Sequence, residues 1–283
     1  MGESWEGVAR LACFELWGGN RRATHPIELP GLQGWVSSTP YGHAASGGDV
    51  HYISVCSKGR ISRIALADVA GHGAMASAVA ERLRRVLQHH TDNWDQSALM
   101  RELNEAFQRD AQGAQFATAV VLGFYMGTGE LLFTNAGHLP LLWHHAKTGA
   151  WDWLEDQTPY AKKEISGLPL GLISGTDYAQ TAVEFGRGDL LLLYTDGITE
   201  SRNESGEMLG HEGLLALVRS LEMDAQKGPG AFGHALLAKI KEFRGSESQH
   251  DDETLVLIQR ETGVAESRGL GTNDSPGASK LLP

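Results

Sequence analysis

The segment GGDVHYISVCSKGRISRIALADVAGHG, residues 47–73, carries an aspartate at each outer end of a β-hairpin pattern. Lys58-Gly59 supplies the two central residues of a tight turn. That turn places Asp49 opposite Asp68, Tyr52 opposite Ala65 and Ile53 opposite Ile64. Directly opposed side chains share one face of a sheet, with Cβ atoms about 4.5–5.5 Å apart. Two carboxylates held so closely repel, and there are three remedies. They splay into water, one takes up a proton, or a divalent cation sits between them. Carboxylate oxygens suit hard cations such as Mg²⁺ or Mn²⁺.

Two further stretches place acids in similar positions. LLLLYTDGITES ends an apolar run with Asp196 before Gly197, and HDDETLVLI opens another with Asp251 and Asp252. A single aspartate beside a turn is ordinarily a solvated cap. Acids at the ends of several strongly apolar strands fit one shared site better.

The elements that must position these acids are legible from periodicity. Residues 32–39 and the hairpin over 48–69 read as strands. Residues 73–90 and 95–111 read as amphipathic helices, with Met75, Val79, Leu83 and Val86 on one stripe and Leu99, Leu103 and Phe107 on the other. Short strands follow over 116–126, 129–137, 140–145 and 150–155. DLLLLYT, residues 189–195, is apolar enough for a strand buried on both faces. Helices are expected over 210–222 and 230–243, then a last strand over 253–260. Clustered strands and paired helices, with no internal repeat, indicate an α+β fold with antiparallel sheet. A helix over 3–17 within an arm of residues 1–24, a main domain over 25–261 and a mobile tail over 262–283 complete the expected organisation.

Composition narrows the function. The chain has 283 residues, enough for a sizeable core, and a net charge of −11, which argues against sequence-independent nucleic-acid binding. Two cysteines, Cys13 and Cys56, form no CxxC pair, so neither a disulfide framework nor a zinc site is expected. The N-terminus has no signal-peptide pattern, and no run approaches a membrane span, so a reducing cytoplasm is the expected compartment.

The motifs GGDV, LADVAGHG, NAGHLPLL, GLPLGL, LLLYTDGITES and HDDETLVLI occur in order over roughly residues 27–260. Together they resemble the bacterial sporulation and stress-response branch of the metal-dependent protein phosphatases, the PPM or protein phosphatase 2C-like family. The resemblance implies a four-layer αββα sandwich of two packed antiparallel sheets flanked by helix pairs. It implies a site for two or more Mn²⁺ or Mg²⁺ ions, with Asp68 bridging, the Val69 carbonyl completing one shell and Asp49 in support. Asp196 and Asp251 hold the second ion by the same resemblance, with Asp252 beside them. Activated water would attack the phosphorus of a phosphoserine or phosphothreonine, so no nucleophilic Ser or Cys is needed. His72, within a Gly-His-Gly turn, is a candidate catalytic proton donor or water positioner, and equally a structural histidine. His138 is expected to lock a turn through backbone bonds. Thr195 and Thr199 are expected to satisfy backbone donors around Asp196.

The implied substrate is a phosphorylated regulatory protein such as an anti-sigma-factor antagonist, with no nucleic acid or membrane partner. An activating partner or a homodimer acting through the N-terminal arm is a further expectation. The sequence has no clear arginine at a phosphate-binding position near the start of the fold, where eukaryotic relatives have one. A catalytically silent pseudophosphatase that binds a phosphoprotein is the alternative, opposed by the intact acid set. A nucleotide cyclase, suggested by GGDV alone, lacks the second acid, since Val50 and His51 follow Asp49.

Overall fold

A computed structural model describes residues 14–17, 21–56, 60–70, 74–90, 94–109, 116–154, 167–221 and 225–262. Among them, twelve strands form two six-stranded sheets in which every paired neighbour runs antiparallel. The first sheet contains β1 (Phe14–Trp17), β4 (Asp49–Cys56), β5 (Ile61–Val69), β6 (Ala117–Tyr125), β7 (Glu130–Ala136) and β10 (Thr181–Glu184), in the order β1-β4-β5-β6-β7-β10. The second contains β2 (Ala23–Leu29), β3 (Leu32–Thr39), β8 (Leu141–His145), β9 (Ala150–Leu154), β11 (Leu190–Tyr194) and β12 (Glu253–Arg260), in the order β2-β3-β12-β11-β8-β9.

Period-two alternation sends each strand's side chains to two different cores. Ile53, Ile64, Leu66, Val120 and Leu122 of the first sheet meet Val36, Leu191, Leu193, Val256 and Ile258 of the second. The outer face of the first sheet, through Tyr52, Ala65 and Val121, packs on helices α1 (Ala74–His89) and α2 (Gln96–Arg109). The outer face of the second, through Trp35, Leu192 and Leu257, packs on α4 (Gly210–Ser220) and α5 (Pro229–Arg244). A four-residue turn of helix, α3 (Asp196–Thr199), follows β11. The expected four-layer αββα sandwich is therefore present. Strands buried on both faces have to be apolar throughout, which explains the uninterrupted run of β11.

Local chemistry sets the helix limits. The Asp95 carboxylate accepts from the Ala98 N–H at 2.9 Å, capping the start of α2. Pro229 opens α5, and Gly245, at φ 62°, closes it. The stripes Leu99, Leu103, Phe107 and Val79, Leu83 are buried as the periodicity predicts.

The N-terminal expectation needs correction where it can be compared. Residues 14–17 form a strand, paired from Phe14 opposite Val55 to Trp17 opposite Tyr52. Edge pairing to β4 supplies backbone hydrogen bonds that four residues could not obtain from an isolated helical turn. Two short strands, β2 and β10, were also absent from the sequence expectations. Pro26 and the ungrouped polar residues hide β2, while β10 is only four residues long. Residues 1–13, the Lys58-Gly59 turn and the tail beyond residue 262 lie outside the described residues.

Candidate metal centre

The register of the hairpin is the expected one: Asp49 stands opposite Asp68, Tyr52 opposite Ala65 and Ile53 opposite Ile64. Alternation along β4 and β5 points both acids into the space between the sheets, in line with Ile53 and Ile64. They lie where β4 begins and β5 ends. At the same end of the sandwich, β11 runs out through Thr195 into Asp196, and Asp251-Asp252 leads into β12. Five acids from both sheets are thus gathered at one end.

Their roles divide by burial and bonding. Asp49 is 3% exposed and accepts a hydrogen bond from Thr195 Oγ1 at 2.7 Å. Thr195 Oγ1 also accepts from the Thr254 N–H at 3.0 Å, and Thr254 Oγ1 lies 3.0 Å from Ser38 Oγ. A polar layer therefore crosses the sandwich beneath the acids. Asp252 is 8% exposed, with one oxygen accepting from the Tyr41 N–H at 2.7 Å and the other from the Gly48 N–H. Both its oxygens hold backbone, one of them at the residue preceding Asp49. Asp251 is exposed, and Asp68 and Asp196 are half-buried. Val69 ends β5, buried, with its N–H donating to the Gly48 carbonyl at 3.3 Å. His72, with Gly71 and Gly73, lies outside the described residues.

Close backbone approach makes two glycines necessary. A Cβ on Gly47 would stand 2.2 Å from Asp252 Oδ2, and one on Gly197 would stand 2.0 Å from the Asp252 carbonyl oxygen. The GGD and TDG motifs thus let two acid-bearing turns pack against a third.

Electrostatics follow from the crowding. Burial, then the charges of Asp196, Asp251, Asp252 and Glu200, raise the Asp68 pKa to about 7. Burial and then Asp68 push Asp49 well above the carboxylate range, against the lowering by its Thr195 and Thr254 hydrogen bonds. Asp196 is raised by burial, then by Asp251 and Glu200. A set of oxygen donors that repel one another to this degree fits a hard divalent cation, whose charge would reverse each of these shifts. Among the described residues no three acidic, imidazole or thiol groups converge closely enough to enclose an ion.

Three features here were not read from sequence in full. Thr195 binds a carboxylate on the other sheet as well as a backbone N–H. The turn at His138 is locked by Asn135, which accepts from the His138 N–H at 2.7 Å and donates to the His138 carbonyl at 3.0 Å. The His138 ring places Nδ1 3.0 Å from Thr118 Oγ1, with Thr118 opposite Asp68, and has the Tyr194 backbone as a further hydrogen-bond partner. Thr199, expected to satisfy a backbone donor, instead satisfies a backbone acceptor, donating to the Asp196 carbonyl at 3.1 Å. A threonine directly before the TDG acid was the available signal for the cross-sheet bond.

Comparison with known proteins agrees with this architecture. The chain is 26% identical over 198 residues to the phosphoserine phosphatase RsbU of Bacillus subtilis, covering 70% of this chain and 55% of RsbU. It is 26% identical over 142 residues to the phosphoserine phosphatase RsbP of the same organism, covering 48% of this chain and 33% of RsbP. The chain thus spans about half the length of the first of these relatives and a third of the second. The crystal structure of the RsbU and RsbW domains of Rv1364c from Mycobacterium tuberculosis matches with a TM-score of 0.68 at 23% identity, over 87% of this chain and 64% of that one. The family model for stage II sporulation protein E (SpoIIE) matches residues 58–261. Since that match takes in well over half of the sequence, the chain belongs to the SpoIIE family.

Proposed function

We propose that this chain is a Mn²⁺- or Mg²⁺-dependent phosphoserine/phosphothreonine protein phosphatase. The observation that carries this reading is the direct opposition of Asp49 and Asp68 at the end of the sandwich where Asp196 and Asp251 also lie. The similarity to two proteins named phosphoserine phosphatases supports it.

Asp68, Asp196 and Asp251 would hold the ions, with the Val69 carbonyl beside Asp68. Asp49, buried and tied to Thr195, supports Asp68 from the opposing strand. Asp252 fixes the Tyr41 and Gly48 backbone and so sets where Asp49 and Asp251 stand. Divalent ions supply the Lewis acidity that lowers the pKa of a water and offsets charge on phosphoryl oxygens. His72, four residues beyond Asp68, is the residue assigned in this reading to give a proton to the departing serine or threonine oxygen or to position the water. No covalent phosphoenzyme is needed, and the chain supplies binding and orientation.

The substrate in this reading is a phosphorylated regulatory protein of sigma-factor control, with an activating partner or a second copy engaging the N-terminal segment. The proposed compartment is the cytoplasm; no helix among the described residues is long and apolar enough to cross a membrane. The deciding experiment is hydrolysis of an aryl phosphate and a phosphoserine peptide by the purified chain with Mn²⁺, Mg²⁺ or EDTA, beside Asp68→Asn and Asp196→Asn. Metal-dependent turnover lost in both variants supports the assignment. Metal binding without turnover indicates a resting enzyme that needs its activator, and neither binding nor turnover overturns the enzyme.

A further inference from the structure

The turns bearing Asp196 and Asp251 are joined by a part-buried ionic bridge on the side facing α5. Arg244, the last residue of α5, directs one guanidinium nitrogen to two partners. Nη2 donates to Ser201 Oγ at 2.8 Å and to Glu253 Oε1. Ser201 Oγ in turn donates to the Gly197 carbonyl at 3.0 Å, next to Asp196. Glu253 directly follows Asp252. The ring closes where Gly197 packs on the Asp252 carbonyl so tightly that a Cβ would come within 2.0 Å. The side chains of Arg244 and Glu253 are 14% and 11% exposed, and Ser201 is 2% exposed. A second tie reinforces the first: Glu204 accepts from Ser246 N–H at 3.0 Å and from its hydroxyl at 2.8 Å, just past the end of α5.

We propose that Arg244 is a positioning residue for the metal centre, setting the separation of Asp196 and Asp251 through Ser201 and Glu253. The inference rests on the phosphatase reading above. Asp196 sits on a four-residue helical turn and Asp251 on an exposed bend. Each carboxylate is held only within its own turn, Asp251 Oδ1 accepting from the Asp252 N–H at 2.7 Å and Asp196 from the Gly197 backbone, so the separation of the two has to be set from elsewhere. The charged bridge ties both turns to the C-terminal end of a sixteen-residue helix. In this role Arg244 acts entirely through Ser201 and Glu253.

Cutting only one partner of a buried pair leaves an unpaired charge and endangers the fold. The test therefore uses Arg244→Met/Glu253→Gln, which removes both charges, and Ser201→Ala, which cuts the neutral link alone. Mn²⁺ binding is measured by titration calorimetry, and thermal unfolding in EDTA monitors the fold. The expected result is a double variant that melts like the parent while its weakest Mn²⁺ site loses affinity about tenfold or more, as outer-shell changes commonly cause. Ser201→Ala should move the same site in the same direction by a smaller factor. Affinities within twofold of the parent in a stable double variant overturn the proposal. Should the double variant melt early, an unchanged affinity in Ser201→Ala overturns it instead. A parent chain that binds no Mn²⁺ overturns the phosphatase reading together with this one, whereas unchanged variants of a binding parent overturn the bridge alone.

Discussion

Asp49 of the first sheet accepts a 2.7 Å hydrogen bond from Thr195, which leaves β11 in the second. The two residues are 146 positions apart in the chain. Their bond is one of the points where the two halves of the acid centre are joined. It fixes the carboxylate that opposes Asp68 relative to the turn that carries Asp196. The same hydroxyl accepts from Thr254, so one side chain serves both sheets.

Replacing Thr195 with Val keeps the shape and removes that hydroxyl. Asp49 and the Thr254 N–H would each lose a buried partner, costing roughly 2–5 kcal/mol of stability. Thr195→Ser should retain most of it. Urea unfolding of the three proteins in EDTA at pH 7 checks the order, and equal midpoints for Val and Thr would refute a bonding role.

Metal-free stability should depend on pH through Asp68. Its folded pKa of about 7 lies above the ordinary carboxylate value, so the folded state keeps a proton that the unfolded chain releases. The contribution is fully present below the unfolded pKa and is lost as pH rises through about 7. In EDTA, Asp68→Asn should therefore be more stable than the parent at pH 8, by on the order of 2–4 kcal/mol, and nearly equal to it below pH 4. With Mn²⁺ the order should reverse, because the parent gains binding free energy that the variant lacks. Thermal melts across pH, with and without Mn²⁺, measure both effects.

His138 has the opposite pH signature. Burial lowers its pKa from 6.5 to about 4, so the folded protein resists a proton that the unfolded chain accepts. Stability falls as pH drops from about 6.5 to about 4, by up to roughly 3 kcal/mol from this residue. His138→Gln should be destabilised at pH 7, where the imidazole packing and its Thr118 contact are lost. The gap between parent and variant should narrow at pH 4.5. A gap independent of pH would show that His138 titrates normally.

Asp251 and Asp252 are adjacent yet predicted to fail differently. Asp251→Asn should lower Mn²⁺-dependent turnover at least about a hundredfold with little change in melting temperature, because its carboxylate is exposed. Asp252→Asn should mainly destabilise, since an amide presents only one acceptor to the Tyr41 and Gly48 N–H groups. The loss should be about 1–3 kcal/mol. Comparing kcat and unfolding midpoints for the two variants separates ligand from scaffold. Similar behaviour of both would refute that division.

Much of this centre was legible along the chain. Hairpin register depends on one turn and the residues beside it, so the opposition of Asp49 and Asp68 follows from the spacing around Lys58-Gly59. The helices α1, α2, α4 and α5 follow from apolar periodicity, and β11 from its unbroken leucines. The glycines before Asp49 and after Asp196 likewise signal close packing, although the partner of that packing was not visible.

What the chain order does not contain is the meeting of its distant parts. The strand character of Phe14–Trp17 depends on an open edge at β4, and β10 on one at β7. The Asp49–Thr195 bond, the seizure of the Gly48 and Tyr41 backbone by Asp252, and the Arg244–Glu253 bridge all require the two sheets and α5 to be assembled first. Secondary structure and hairpin register are short-range properties of alternation and turn chemistry. Which acids share a site, and which of them are occupied in holding backbone, depends on side-chain contacts that exist only once both sheets bury their inner faces against each other.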